Sequence, residues 1–418
     1  MQTEKIDQVR RYLENRMPHY LDILKTMVDI NSFTYNADGV NELGEFTATI
    51  FTDLDFSFEI VHSINPSYGK HLFLYSSNYP KSANSPAATV ERVISIISHL
   101  DTVFHPDEEK ANQFFFRLEG DRVYGPGTVD IKGGTVMVLM VLEALKVFFP
   151  DQFVETPWLI AMDASEESLS QDFGKLCIER IPEKSRACLI FEGGTPNPDG
   201  YSLVNTRKGR AEFRVTATGR SAHAGNYHKS GANAIIQLAD TVRKIADMTD
   251  YAQSLTYNVG VISGGTVVNR VPHSAEARVE MRAFSQPVFD VGYGKILSLD
   301  GSSTVSSFNG YPCEVSVDTL TLSPPWPRNQ ASDQLFNHWA ETGKQLGLQI
   351  IPEARGGLSD GNLLWQHVPV LDGLGPVGNN AHCSERSPDG SKDQEFALLT
   401  SFVPKALLNI VALTRLIG

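Results

Sequence analysis

Two adjacent glutamates, Glu166 and Glu167, follow the apolar run TPWLIAM in the segment MDASEESLSQ. Neighbouring residues of an extended chain point in different directions, so the pair cannot serve one purpose by simple duplication. Two carboxylates placed directly after a strand-like run raise the question of a separate chemical role for each. The alternative is a solvated turn at a helix start, where Ser165 caps the helix and the glutamates favour the helix dipole.

Further imidazoles and carboxylates follow other apolar runs of the chain. His99 and Asp101 come after VISIIS, Glu192 after ACLIF and His382 after VLDGLG, while Asp130 lies in the glycine-rich YGPGTVDIKGG. In open α/β sheets, ligands bind beyond the carboxyl ends of the strands. Imidazoles and carboxylates are metal ligands, so this pattern predicts a metal site at that edge. If the strand continues, Asp101 shares a face with His99 and can accept its far ring N–H.

Each of these residues also has an ordinary structural explanation. His99 could be a half-buried histidine at a strand end. Asp130 could be a turn aspartate, because glycines surround it, and Glu192 could be a loop acid before GGTPNPDG. Their joint arrangement after successive strands favours a shared site over independent structural roles.

The elements that must position these residues follow from the apolar pattern. Short, nearly continuous apolar runs separated by helix-length segments predict an α/β domain with a mostly parallel central sheet flanked by helices. Residues 5–30 have helical spacing, and Pro18 leaves open a split into two helices. The run GGTVMVLMVLEALKVFF predicts a buried core helix, since Glu143 and Lys146 interrupt it. A loop is expected at 76–89 and a terminal helix at 397–417.

Between residues 208 and 320, the pattern of apolar residues changes from continuous runs to alternation. AEFRVTATG, TYNVGVISGG and SAEARVEMRAF alternate polar and apolar residues, which predicts an antiparallel sheet with one solvated face, and a helix lies among them. LSPPWPRN marks a return to the first domain. We therefore expect one domain from 1–207 and 321–418, with an α+β domain inserted at 208–320.

Composition excludes several classes of protein. Lys and Arg total 36 against 49 Asp and Glu, and the net charge of −13 argues against nucleic acid or an anionic membrane as partner. The four cysteines show no metal-type or dense disulfide spacing, and the N-terminus lacks the apolar core of a signal peptide. These features predict a cytoplasmic protein with reduced thiols.

Six segments in order, SHLDTVF, GPGTVDIKGG, DASEES, LIFEGG, GRSAHAG and NAHCSE, resemble the M20 family of co-catalytic zinc metallopeptidases. The resemblance covers nearly the whole chain. It is strongest to the glutamate carboxypeptidase (carboxypeptidase G2-like) branch, which is related to acetylornithine and succinyl-diaminopimelate deacylases. It implies a hydrolase that releases a C-terminal amino acid from an amide bond.

The resemblance also implies a ligand set for two zinc ions per chain, with cobalt or manganese as substitutes. Asp130 would bridge both ions. His99 and Glu192 would complete one ion's protein ligands, and Glu167 and His382 the other's. Glu166 would be the general base acting on a hydroxide held between the metals, and Asp101 would support His99.

In the inserted domain, the resemblance implies a lid that pairs subunits into a homodimer. His223 would help to stabilise the oxyanion in the partner's active site, although alone it could be a surface histidine. Asn269 and Arg282 would contact substrate, and Arg282 could equally be a strand salt-bridge residue. Gly356 and Gly357 would offer backbone N–H groups to a carboxylate, although a simple turn also explains them.

The chain departs from the family pattern beside the last ligand. Cys383 replaces a usual serine, and a different sequence follows where the family more often has a short acidic-aromatic stretch. Glu192, rather than Asp, suits the carboxypeptidase and deacylase branches. Two rivals stay open: an N-acyl amino acid deacylase with the same metals, and a non-catalytic dimeric binding protein.

Overall fold

The computed structural model describes residues 3–80, 90–170 and 172–418. Its α-helices are α1 (Thr3–Asp29), α2 (Ala37–Thr52), α3 (Pro106–Ala111), α4 (Lys132–Phe148), α5 (Pro150–Glu155), α6 (Phe173–Arg180), α7 (Ala234–Asp247), α8 (Gln286–Leu297), α9 (Gln330–Gln345), α10 (Gly361–Leu364) and α11 (Leu399–Ile417). Short 3₁₀ helices lie at Glu166–Ser168, His228–Ser230 and Tyr251–Gln253.

The strands, in chain order, are β1 (Ser57–His62), β2 (Lys70–Tyr75), β3 (Ile94–His99), β4 (Arg117–Glu119), β5 (Arg122–Tyr124), β6 (Trp158–Asp163), β7 (Ala187–Ile190), β8 (Thr195–Asn197), β9 (Gly200–Arg207), β10 (Gly209–Thr218), β11 (Ala222–His223), β12 (Thr256–Gly264), β13 (Arg270–Val271), β14 (Ser274–Ala283), β15 (Glu314–Ser323), β16 (Gln349–Arg355), β17 (Val370–Leu371), β18 (Gly378–Asn379) and β19 (Phe396–Leu398). Of the loop expected at 76–89, residues 81–89 lie outside the described ranges.

Two compact units divide the chain. The first comprises 1–205, 328–353 and 364–418, and the second comprises 206–327 and 354–363. The sequence had suggested an inserted segment at 208–320, but β15 continues to Ser323 because it pairs with β10 along its length. The second unit also takes in the glycine turn around Gly356.

The first unit contains a six-stranded sheet in the order β1-β2-β6-β3-β7-β17. Strands β6, β3, β7 and β17 are parallel, while β1 and β2 form an antiparallel edge. Every residue of β3, β6 and β7 is buried, as expected for apolar strands covered on both faces. The α/β class and the mostly parallel sheet are therefore confirmed.

Helices α1, α4 and α11 contribute much of the core of this unit. The apolar run at 132–148 is the buried helix α4, as predicted. A split of the first helix at Pro18 does not occur, and α1 runs unbroken through the proline, which has no backbone N–H to donate. Leu13, Tyr20 and Leu24 are buried on either side of Pro18, and this packing stabilises the helix. Among the described residues, α11 is long and apolar enough to cross a membrane by length and composition, and 72% of its apolar window is buried inside the protein.

The second unit contains an antiparallel sheet in the order β12-β14-β10-β15. Burial alternates along β10 and β14, which is the pattern of a sheet with one covered face. Helices α7 and α8 pack on that face. The other face carries paired charges, such as Arg210 with Glu280 at 2.7 Å.

Candidate metal centre and hydrolytic site

The carboxyl ends of three parallel strands meet at one edge of the six-stranded sheet. Strand β3 ends at His99, which is in register with Asp163 at the end of β6, and β7 ends at Ile190. Glu166 and Glu167 follow β6, and Glu192 follows β7. Because these parallel strands end at the same edge of the sheet, residues that are distant in sequence lie close together there.

Asp130 lies at the centre of a cluster of imidazoles and carboxylates. Its Oδ1 lies 3.0 Å from His99 Nε2, and its Oδ2 lies 3.3 Å from His382 Nε2. His382 Nε2 is also 3.1 Å from Glu167 Oε2, and His99 Nε2 is 3.6 Å from Glu192 Oε1. All five predicted metal ligands are thus brought together, with one Asp130 oxygen facing each histidine.

The charges of this cluster favour a bound cation. Hydrogen bonds with Asp130 and Glu167 raise the pKa of His382 to about 11. Burial alone would lower the pKa of His99, but the neighbouring carboxylates, first Asp101 and Asp130, raise it well above its ordinary value. The carboxylates of the site therefore favour positive charge next to them. Protonated histidines provide that charge when no metal ion is bound.

The donor set fits a divalent metal ion. One ligand atom from each of His99, Asp130 and Glu167 lies within 4.8 Å of the other two. The second carboxylate oxygen of Glu167, Oε1, is buried and has no hydrogen-bond partner among the described residues. An orphaned buried oxygen beside two imidazoles is the arrangement that a coordinated cation satisfies.

Asp101 is buried and links His99 to the turn that carries the two glutamates. His99 Nδ1 lies 3.0 Å from the backbone oxygen of Asp101 and 3.5 Å from its Oδ1. The nearer acceptor of the ring N–H is therefore the carbonyl rather than the carboxylate. The carboxylate instead accepts the backbone N–H groups of Glu166 at 3.0 Å and Glu167 at 3.3 Å, and the hydroxyl of Thr34 at 2.6 Å.

Glu166 and Glu167 begin a 3₁₀ helix of three residues rather than a long helix. Ser165 makes no side-chain capping hydrogen bond there, so the capping explanation of the glutamate pair is wrong. Glu167 contacts His382, while the charge of Glu166 contributes to the raised pKa of His99. Glu167 therefore touches a histidine of the cluster directly, and Glu166 acts on the cluster through its charge.

Sequence reasoning missed a buried carboxylate behind Asp130. Glu395 Oε1 accepts the backbone N–H groups of Val129 at 3.0 Å and Asp130 at 3.2 Å. Burial, followed by the charge of Asp130, raises the pKa of Glu395 to about 8. Glu395 lies in an unremarkable segment, QEF, and only the antiparallel pairing of β19 with β5 brings it near Asp130.

The loop that departs from the family pattern is held by side chains of the same unit. Ser384 hydrogen-bonds to Glu108 and accepts from Asn112 Nδ2 at 2.7 Å. Arg386 donates to both carboxylate oxygens of Glu119, at 2.9 and 2.8 Å. Cys383 itself contacts only the backbone oxygen of Glu385, at 3.6 Å, among the described hydrogen bonds. The loop after His382 therefore has its own anchors on α3 and β4.

In the second unit, His223 lies on the exposed strand β11 opposite Arg270. Its Nδ1 accepts the backbone N–H groups of Gly225 and Asn226, each at 3.1 Å. A neutral imidazole with this acceptor carries its proton on Nε2, which is then a hydrogen-bond donor. Asn269 is exposed, and its backbone oxygen accepts the N–H of Ala224 at 2.9 Å.

Arg282 is joined to both a glutamate and the glycine turn. It donates from Nε and Nη2 to Glu280, at 2.6 and 3.1 Å, and from Nη1 to the Gly356 oxygen at 2.6 Å. Arg207 donates to the Gly357 oxygen at 3.1 Å. The turn carbonyls are therefore held by guanidinium groups, and the strand salt bridge considered for Arg282 is present.

Comparison with known proteins gives an evolutionary relationship. Residues 205–290 match the family model of the M20 peptidase dimerisation domain. The chain is 25% identical to carboxypeptidase G2 of Pseudomonas sp. (strain RS-16), over 88% of this chain and 84% of that protein. It is 22% identical to acetylornithine deacetylase of Klebsiella pneumoniae (strain 342), over 75% and 79% of the two chains.

A solved structure supports the same fold. The Bacillus subtilis YXEP protein, described as a dinuclear metal-binding peptidase from the M20 family, superposes with a TM-score of 0.63 at 12% identity, covering 96% of this chain and 99% of that one. The chain is thus homologous to carboxypeptidase G2 and the M20 metallopeptidases and carries their dimerisation domain. The resemblance inferred from the six segments is confirmed.

Proposed function

We propose that this homologue of the M20 metallopeptidases is a metal-dependent hydrolase that cleaves an amide bond and releases a C-terminal amino acid, in the manner of a glutamate carboxypeptidase. The observation that carries the proposal is the cluster around Asp130, in which one carboxylate oxygen faces each of two histidines. The relationship to carboxypeptidase G2 supports the reaction class.

Two zinc ions per chain are the proposed cofactors, with cobalt or manganese as substitutes. Asp130 would bind both ions. His99 and Glu192 would hold one ion, and Glu167 and His382 the other, which matches the pairs of side chains in contact. Bound divalent ions supply Lewis-acid polarisation of the scissile carbonyl and lower the pKa of a water molecule.

Glu166 is the proposed general base. Its neighbour Glu167 contacts His382, and Asp101 accepts the backbone N–H groups of both glutamates, so the turn that carries the two carboxylates is held in place. Glu166 would accept a proton from the attacking water and deliver it to the nitrogen of the leaving amine as the carbon–nitrogen bond breaks. Asp101 orients His99 and this turn.

The second unit is proposed to pair two subunits and to help bind substrate. Strand β12 is an edge strand, and its Val261 and Ile262 are exposed, as are Ile235 and Ile236 on α7. Exposed apolar side chains beside a free strand edge suit a symmetric interface. In the dimer, the Nε2–H of His223 would stabilise the oxyanion in the partner's site.

The proposed substrate-binding residues are Asn269, Arg282, Gly356 and Gly357. Among its described contacts, Arg282 uses three of its five N–H groups, which leaves one on each terminal nitrogen for a substrate carboxylate. The backbone N–H groups of the glycine turn would add to this recognition. A small peptide or N-acyl amino acid is the expected substrate.

An N-acyl amino acid deacylase is the second candidate, and the similarity to acetylornithine deacetylase favours it. It would use the same metals and differ only in the acyl group that it accepts. A non-catalytic binding protein is disfavoured, because every proposed ligand and the base are present. The cysteine spacing, which lacks the dense disulfide pattern of a small secreted protein, supports the cytoplasm as the proposed compartment.

The deciding experiment measures metal content per chain together with hydrolysis of a panel of C-terminal glutamate peptides and acyl amino acids, before and after chelation. About two zinc ions per chain and chelator-sensitive release of the C-terminal residue would support the carboxypeptidase. Activity only on acyl amino acids would move the substrate to the deacylase. No bound metal and no activity after adding zinc or cobalt would overturn the proposal.

A further inference from the structure

His71 lies on β2 with its side chain fully buried, and it contacts both ends of the loop that carries Glu166 and Glu167. Its Nδ1 is 3.2 Å from Asp163 Oδ1, at the end of β6. Its Nε2 is 3.4 Å from Asp172 Oδ1, at the start of α6. Described residues 164–170 lie between these two anchors.

The contacts of His71 reach the loop in either protonation state of the imidazole. The backbone N–H of Ala164 lies 3.1 Å from Nδ1, so a neutral ring accepts a hydrogen bond from the loop's first residue. Nε2 lies 3.4 Å from Asp172 Oδ1 but makes no hydrogen bond among the described residues. A protonated ring is attracted by charge to the carboxylates of Asp163, at 3.2 Å, and Asp172, at 3.4 Å. In both states, Nδ1 lies beside the first end of the loop and Nε2 beside the other.

Other contacts make the two aspartates firm anchors. Asp163 Oδ1 accepts the backbone N–H of Ser165 at 2.9 Å, inside the loop. Asp172 Oδ2 accepts the backbone N–H of Ile64 at 2.7 Å, and the His71 ring packs against Phe173 with centroids 5.3 Å apart. The loop ends are therefore tied through His71 to β2 and the segment after β1.

A metal site does not explain this cluster. The two carboxylates face opposite nitrogens of one imidazole, so they do not converge on a single point as ligands of one ion would. An ordinary core histidine is also a poor explanation, because both of its nitrogens are directed to the boundaries of one functional loop. Anchoring of that loop accounts for both contacts.

We propose that His71 is a positioning residue that holds the two ends of loop 164–170 and thereby sets the positions of Glu166 and Glu167 relative to Asp130. The inference rests on the proposed function, in which Glu166 is the base and Glu167 a ligand. A short loop with fixed ends loses most of its conformational freedom, and catalytic groups need placement within about 0.5 Å. Loosening of about 1 Å lowers the rate of the chemical step by roughly 100-fold.

The test uses three substitutions in the zinc-loaded full-length protein. The amide of His71→Asn reaches the place of Nδ1 and keeps the Asp163 end, that of His71→Gln reaches the place of Nε2 and keeps the Asp172 end, and His71→Leu keeps neither. We expect kcat at saturating zinc to fall about 100-fold in His71→Leu and about tenfold in the other two, with KM changed less than about twofold. Amide hydrogen exchange of 164–170 should rise in the same order.

Glu143→Gln is the matched control for general loss of stability. Glu143 accepts hydrogen bonds from Arg16 and Tyr20 elsewhere in the first unit, and it does not contact the loop in the described structure. It should lower the Tm without changing kcat or the exchange of 164–170. An equal loss of kcat in Glu143→Gln at equal Tm, or unchanged exchange in all three His71 variants, would overturn the inference.

Hydrogen exchange separates this inference from the proposed function. If the wild type hydrolyses no substrate, the function fails, but the exchange of 164–170 still decides whether His71 anchors the loop. If His71→Leu does not fold, the Asn and Gln variants and Asp172→Asn give the same comparison. Faster exchange in those variants supports the anchor, and exchange at the wild-type rate overturns it.

Discussion

Asp101 Oδ1 accepts the backbone N–H of Glu166 at 3.0 Å, although the two residues lie on different strand-end segments. The same residue supplies the carbonyl oxygen that lies 3.0 Å from His99 Nδ1. One buried residue therefore sets the orientation of a proposed metal ligand and of the proposed base. This geometry makes Asp101 a link between metal binding and proton transfer.

Substitution of Asp101 by Asn should therefore damage both processes. The amide keeps one acceptor oxygen but places an N–H₂ group opposite the backbone N–H of either Glu166 or Glu167, so the turn of these two residues must shift. We expect kcat to fall by roughly 10- to 100-fold and zinc affinity by about tenfold, as for other residues that orient metal ligands. Steady-state kinetics and competitive zinc titration measure these effects.

Thr34→Val is the control for that experiment. It removes the hydroxyl that donates to Asp101 Oδ2 at 2.6 Å but leaves the contacts with His99 and Glu166 in place. Its effect should be several-fold smaller. Equal effects of the two substitutions would mean that Asp101 serves only the packing of this region.

Glu166→Gln tests the proposed base directly. The amide cannot accept and return a proton, so kcat should fall by roughly 100- to 10,000-fold. The zinc content should stay at the wild-type value, because Glu166 is not in the proposed ligand set. Glu167→Gln is the matched comparison, since it should lower the metal content as well. Turnover at the wild-type rate in Glu166→Gln would remove Glu166 from the mechanism.

The residue types and strand order were enough to predict much of the fold and of the cluster around Asp130. The parallel strands could be predicted because they are apolar on both faces, and the resemblance supplied the ligand assignments. Glu395 and His71 could not be predicted in the same way. Both act through hydrogen bonds between residues that no local pattern connects, and both lie in segments whose composition is ordinary.

The continuity of α1 through Pro18 is another feature that could not be predicted from the local sequence. Propensity favours a break at a proline inside a helix, at a cost of about 3 kcal/mol. Burial of the apolar face, including Leu13 and Leu24, outweighs that cost. Tertiary packing decided the result, and one sequence does not display that packing.

The stability of the protein should depend on pH through His71. Burial would lower the pKa of His71, but the hydrogen bond and charge of Asp163, and then Asp172, raise it above the ordinary value. A raised histidine pKa contributes stability that is fully present below the unfolded pKa of about 6.5 and is lost as the pH rises through the folded pKa. The His71 contribution should therefore be largest at mildly acidic pH.

Urea unfolding of wild type and His71→Asn at one buffered zinc concentration checks this prediction. The difference in free energy of unfolding should be about 3 kcal/mol near pH 6, as for removal of one partner of a buried ion pair, and should shrink steadily above that pH. The comparison of two proteins under the same conditions cancels the shared pH dependence of zinc binding. A difference that is flat, or that grows with pH, would show that folding does not raise the pKa of His71.

Gly356→Ala separates the two explanations of the glycine turn. Gly356 does not have a positive φ, and an added Cβ would meet no atom within 4 Å, so the fold itself does not require glycine there. If the turn binds a substrate carboxylate through its backbone, a methyl group obstructs that approach. KM for C-terminal glutamate substrates should rise about tenfold, the Tm should stay near that of the wild type, and kcat should change little.

Gly294→Ala, on α8 of the same unit, is the matched control. It too lacks a positive φ, and its added Cβ meets no atom within 4 Å. It should stabilise the helix by about 1 kcal/mol and leave KM unchanged, because it is remote from the turn in sequence and lies within a helix. An unchanged KM in Gly356→Ala as well would assign the glycines to a simple turn, and Arg282 would then bind Gly356 for structural reasons alone.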